Sequence, residues 1–271
     1  MTLATAWPLL LLFQQSADDH AKAVVDRIAF PTAEQVKSWA DKGPEYANVL
    51  GIVMKRETWT AAVKFIEEHV GPFADDWKIA VTLEEWEGSH ASHGERTEKA
   101  ATVKFNMKRL SAYEKKMIDL RRQEAELMKK GKRFAWKIPP LKYDRLIVHE
   151  LVHIVQGTGG APDWFREGMA SWAGADPNYV MAFLYNNDAV KEVDSPLEGD
   201  DLYGRGHLFM MWLESKAGRE VFKKAAKAIF LDGGEVKGSL EKLLGMAWDK
   251  LSAEELAWTT QYAKKNRPKK D

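Results

Sequence analysis

Apolar residues recur every three or four positions along most of this chain, the spacing of helices that bury one stripe. Ala33–Ala40 (AEQVKSWA) follows Pro31-Thr32, which reads as a capped helix start. Thr58–Ile66 continues in the same style, and Gly71-Pro72 closes the N-terminal helical stretch. Two segments instead combine β-branched and aromatic residues in alternation, Trp77–Thr82 (WKIAVT) and Ala101–Phe105 (ATVKF), and these are the predicted strands. A polar loop with His90 and His93 separates them. Ala101–Phe105 is the expected sheet edge. Met107–Lys130 then reads as a long charged helix with a single apolar stripe at Leu110, Tyr113, Met117, Leu120 and Leu127, a packing face.

Pro139-Pro140 breaks the pattern, and Asp144 is placed to cap a helix over Arg145–Gln156 that Gly157 ends. Gly159, Gly160 and Pro162 make a tight connection to a second helix, Trp164–Ala173, with Asp163 at its cap position. Beyond the Gly/Asp/Pro-rich stretch Asp194–Asp201, three or more helices run to about Ala263, and Lys264–Asp271 is a basic tail. No repeat is visible, which excludes solenoids and propellers. The prediction is therefore an α+β fold, predominantly helical, with a small sheet in the middle and a helical C-terminal half.

Composition narrows the partners. Lys+Arg and Asp+Glu both number 40, so the formal charge is zero, and nothing in that balance suits a nucleic-acid or anionic-membrane partner. There is no cysteine, so a metal site must use His, Asp or Glu. Leu3–Phe13 is almost wholly apolar and turns polar at Gln14; eleven residues are too few to span a bilayer but suit the core of a signal peptide. Residues 1–17 are accordingly expected to direct the chain to a secreted or periplasmic location, with no stable membrane span; the alternative is an N-terminal helix buried in the core of a cytoplasmic protein.

His149 and His153 stand four apart on a predicted helix, so both rings project from one face and can share one Zn²⁺. Glu150 follows the first histidine, where its carboxylate can reach a water activated by the metal without ligating the metal itself. The flanking Leu146, Ile147, Val148, Leu151, Val152, Ile154 and Val155 make the helix apolar nearly all round, so the three polar side chains must be satisfied together. Five residues alone also fit two core or surface histidines with no metal. A catalytic zinc has three protein ligands and an open position. The nearby carboxylates are Asp163, which suits an N-cap, and Glu167 inside the second helix, which the glycine connection lets fold back toward the histidines. Glu167 is the better third ligand on that geometry.

Paired in this order, His149-Glu150-Leu151-Val152-His153 and Trp164-Phe165-Arg166-Glu167-Gly168-Met169-Ala170-Ser171-Trp172 resemble the gluzincin metallopeptidases, specifically the peptidase MA-like domains. The resemblance covers about Asp144–Ala263. It implies a zincin-like fold with the sheet packed on the HExxH helix, His149, His153 and Glu167 as zinc ligands, Glu150 as general base, and a peptide or protein as substrate. Thirteen residues separate His153 from Glu167, fewer than in M1-type aminopeptidases, and the GAMEN segment of those enzymes is missing. Endopeptidase action is therefore the expectation. A tyrosine downstream of the metal stabilises the oxyanion in that group; Tyr203 opens a comparable late helix here, with His207 one turn on and Arg205 between them.

The expected layout is a possible signal peptide at 1–17, an N-terminal helical region at 18–75, a catalytic domain at 76–263 and a basic tail at 264–271. A second reading is a zinc-binding scaffold of the same fold without useful turnover. His20 and His69 read as surface or satisfied residues, and His90 with His93 as a weak accessory metal pair. Oligomeric state leaves no trace in the sequence.

Overall fold

The computed structural model of this protein describes residues 18–88, 92–97, 100–132 and 142–268. Its fold is mostly helical with a small sheet, as the pattern predicts, and among the described residues that sheet has three strands. The apolar segment Leu3–Phe13, His90 and the end of the basic tail lie outside the described residues, as does the His93 side chain.

Four helices come first: α1 (18–26), α2 (Ala33–Ala40), α3 (Pro44–Val53) and α4 (Arg56–His69). The start of α2 is the one the sequence marks. Thr32 Oγ1 accepts from the Gln35 backbone N–H while the Gln35 side chain accepts from the Thr32 N–H, so two otherwise orphaned amides are satisfied reciprocally.

The sheet holds β1 (Lys78–Glu84), β2 (Ser92–Arg96) and β3 (Ala100–Asn106) in the order β1-β3-β2. β1 runs parallel to β3 and β2 antiparallel to it, while Ala29 adds a short parallel bridge outside β1. Two expectations change here. β3, predicted as the edge, is central and paired on both sides, and the polar loop before it contains a strand, β2, which forms the edge. Alternation explains the placement. Ile79 and Val81 lie beside Ala101 and Val103 on one face, and the same face of β2 carries Ser92, Gly94 and Arg96, opposite Phe105, Val103 and Ala101. Two strands fill that face with apolar side chains, whereas the edge strand offers a hydroxyl and a bare backbone. That face receives α6 (Tyr143–Gln156), the helix of the two histidines, after the long helix α5 (Met107–Lys129).

α6 and α7 (Asp163–Ala173) form an antiparallel hairpin tied at both ends. Arg166 Nη2 donates to the Gly157 carbonyl at 2.9 Å, and Arg145 at the other end donates to the Ala175 carbonyl. Gly157 ends α6 with φ +64°, a conformation natural to glycine. The observed caps, Lys142 and Pro162, precede the predicted ones by two residues and one. α6 begins at Tyr143 and α7 at Asp163, neither with a side-chain cap, so Asp144 and Asp163 sit in the first turn of each helix, where the dipole favours an acid.

Five more helices complete the chain: α8 (Pro177–Asn186), α9 (Asp200–Ala217), α10 (Glu220–Ala226), α11 (Val236–Leu244) and α12 (Trp248–Asn266), with a π-helical turn at Lys227–Leu231. The basic tail thus begins while still helical, through Asn266. Glycines bring α9 close to its neighbours. A Cβ at Gly206 would lie 2.2 Å from the Trp164 carbonyl oxygen of α7, one at Gly168 2.5 Å from the Gly206 carbonyl carbon, and one at Gly204 2.4 Å from the Tyr179 carbonyl oxygen of α8. No described helix is long and apolar enough to cross a membrane. One cluster of buried apolar residues extends from Ala21 in α1 to Leu251 in α12.

Candidate metal centre

The hairpin of α6 and α7 assembles three potential ligands. His149 and His153 lie one turn apart on α6, with Nε2 atoms 3.1 Å from each other. Glu167 Oε2 lies 3.3 Å from the first and 3.2 Å from the second. The three atoms form a nearly equilateral triangle. Tetrahedral zinc with bonds of about 2.0–2.2 Å requires neighbouring ligand atoms roughly 3.3–3.5 Å apart, so the donors fit such an ion almost as they stand. Glu167 Oε2 is also buried and, despite its proximity to both rings, forms no hydrogen bond of proper direction. Among the described residues this is the group of three able to hold a metal ion.

The electrostatics agree with a cation site. Burial pushes the Glu167 carboxyl up, but the two histidines outweigh it and hold the group well below the usual carboxylate range. Asp163, the other candidate ligand, lies outside the group.

Gln156 organises the far side of His153. Its Nε2 donates to the Arg166 carbonyl at 2.9 Å, and its Oε1 lies 2.9 Å from His153 Nδ1. A carbonyl only accepts, so the amide nitrogen must face Arg166 and the amide oxygen must face the ring. His153 Nδ1 therefore carries a proton, which leaves Nε2 as the atom that would ligate a metal. Gln156 is buried and links the backbone beside Glu167 to a histidine of α6.

Glu150 lies between α6 and the edge strand β2. It is 4% exposed, and Ser92 Oγ on β2 donates to its Oε1 at 2.6 Å. Gly94 lies so close that a Cβ there would stand 2.5 Å from the Glu150 carbonyl oxygen and 3.0 Å from its Oε2.

Tyr203 and His207 both reach the neighbourhood from α9. The Tyr203 ring stacks on His149 with centroids 6.2 Å apart and planes at 27°, and Tyr179 of α8 stacks on Tyr203 at 4.8 Å. His207 is buried, and its Nδ1 has no hydrogen-bond partner among the described residues. Burial, with His149 adding to it, pushes its pKa down to about 4, so the ring is neutral at pH 7. Arg205, between them, is withdrawn from the site: it is fully buried, donates through Nε to the Lys191 carbonyl at 2.8 Å and pairs with Glu255 of α12.

Comparison with family models, with curated proteins and with solved structures finds no match.

The sequence pattern indicated His149, Glu150, His153 and Glu167, and it pointed to Tyr203 and His207; the fold brings all six into one region. Ser92, Gln156 and Tyr179 escaped it. Gln156 left one trace, an amide one turn beyond His153 in an otherwise apolar helix end, Ile154-Val155-Gln156.

Proposed function

We propose that this protein is a zinc-dependent metallopeptidase of the gluzincin type, acting as an endopeptidase. The observation that carries the reading is the triangle of His149 Nε2, His153 Nε2 and Glu167 Oε2, with sides of 3.1–3.3 Å. These three residues would hold the ion, whose bound form supplies a Lewis acid that acidifies water and polarises the scissile carbonyl.

Glu150 accepts the proton of the attacking water and returns it to the departing amine. Its burial against β2 keeps bulk water from competing for that carboxylate. Tyr203 and His207 stand on the α9 side of the ligands, where a phenol or a neutral imidazole donates a hydrogen bond to the oxyanion that develops during attack. A neutral His207 donates without bringing a second positive charge next to a cation. The peptide bond as substrate rests on the resemblance of WFREGMASW to the gluzincin helix, and export on the apolar segment Leu3–Phe13.

The test uses the full chain loaded with zinc and unfolded casein as substrate. Glu150→Gln should retain one zinc per chain and cleave about 10²–10⁴-fold more slowly. Glu167→Ala should lose zinc. Wild type free of stoichiometric zinc after growth in zinc-supplemented medium, or cleavage by Glu150→Gln at the wild-type rate, would remove the reading.

A further inference from the structure

We propose that Ser92 is a positioning residue that holds the Glu150 carboxylate in its working orientation, an inference that rests on the metallopeptidase reading above. A glutamate side chain has three rotatable bonds, and a base must present one particular oxygen to its water. Nothing on α6 itself restrains that choice. β2 does so from outside the helix.

The restraint has two parts. Ser92 Oγ donates to Oε1 at 2.6 Å, which occupies that oxygen with a charge-assisted hydrogen bond. Oε2 lies beside Gly94, where an added Cβ would stand 3.0 Å from it, so only a residue without a side chain leaves the carboxylate in place there. Oε1 is thus the anchored oxygen and Oε2 the one left to accept a proton. The pairing register sets this arrangement: Ser92 and Gly94 are alternate residues of one strand, opposite Phe105 and Val103, so both project toward α6. An edge strand made of Ser-His-Gly-Glu-Arg is a poor core former but a good cover for a buried carboxylate.

A cavity of about 510 Å³ beside Glu114, Arg121 and Tyr143 has its buried carboxylate already satisfied by Tyr143, Asn48 and Arg121.

The test compares zinc-loaded full-length wild type, Ser92→Ala, Ser92→Cys and Ser92→Thr on unfolded casein, and measures acetohydroxamate affinity by calorimetry as a readout independent of turnover. Acetohydroxamate binds zinc through its oxygens while its hydroxyl proton passes to the base. Ser92→Ala should lower kcat roughly ten- to a hundredfold with KM and zinc content unchanged, and should bind acetohydroxamate about tenfold more weakly. Ser92→Thr, which keeps the hydroxyl, should recover most of both, and Ser92→Cys should fall between. Wild-type kcat and affinity in Ser92→Ala overturn the proposal, as does a Thr variant no better than Ala. A zinc-loaded active wild type with an unaffected Ala variant overturns the role of Ser92 alone. A wild type that takes up no zinc overturns the metallopeptidase reading beneath it.

Discussion

Gln156 Oε1 lies 2.9 Å from His153 Nδ1, and the same amide donates to the Arg166 carbonyl on the neighbouring helix. One buried side chain thereby fixes the tautomer of one ligand and the position of the residue preceding another, Glu167. Gln156→Leu keeps the volume but removes both bonds. The expected result is a ten- to hundredfold loss of zinc affinity, measured by competition with a chromogenic chelator, in a protein that still folds. An affinity within twofold of wild type would show that the hairpin alone orients the ligands.

Gly206 and Gly168 form the contact on which the α7–α9 crossing depends. The Gly206→Ala methyl would meet the Trp164 carbonyl oxygen at 2.2 Å, and that atom is backbone that cannot rotate away. α9 must shift, at a cost of about 1–3 kcal/mol or more, and Tyr203 and His207 would move with it away from His149. Thermal melts should register the first effect and casein turnover the second, with zinc content preserved because the ligands lie on α6 and α7. Unchanged melting and turnover would mean that the crossing has more slack than the contacts suggest.

These relationships separate what the chain discloses in one dimension from what it does not. α2 was legible down to its cap because Thr32 and Gln35 carry out a local exchange of hydrogen bonds. The ligands were legible because four-residue spacing on a helix is itself geometry, and Glu167 because a glycine connection implies a hairpin. β2 was not legible. Its pairing face carries Ser92, Gly94 and Arg96 because it covers Glu150 and the end of α6 instead of apolar core, so the alternation that marks β1 and β3 is missing. The role of Ser92 depends on a contact spanning 58 residues of sequence, and no local pattern encodes that. Asp144 and Asp163 were read as caps because aspartate suits both the cap and the first turn; Tyr143 is buried with its hydroxyl on Glu114, and the helix starts from that anchor.

Arg205 and Glu255 form a pair with essentially no exposure, reinforced by Thr259 Oγ1 donating to Glu255 Oε1 at 2.6 Å. Removing one partner strands the other charge in the core. Glu255→Ala should therefore cost about 3–5 kcal/mol in chemical denaturation, while the double variant Arg205→Met/Glu255→Leu should cost less than either single change. Because Arg205 points away from the ligands, the double variant should keep its zinc. A Glu255→Ala variant as stable as wild type would mean that water reaches the guanidinium.

His207 predicts a dependence on pH. Its pKa lies near 4 in the folded chain against 6.5 for a free histidine, because burial disfavours the charged ring and His149 adds to the effect. Between those values the unfolded chain binds a proton that the folded chain refuses, so stability rises with pH across the window and is lost as pH falls from about 6.5 toward 4. The full difference corresponds to about 3 kcal/mol at most, from 1.36 kcal/mol per unit. His207→Gln removes the titration but fills most of the space. In chelator-treated protein, urea denaturation at pH 7 and at pH 4.5 should show a smaller acid loss for the variant than for wild type. The other carboxylates and histidines titrate in both proteins, so the difference between the two isolates His207. Parallel pH curves would mean that His207 is solvated or paired when charged, and its role as a neutral donor beside the metal ligands would fall with them.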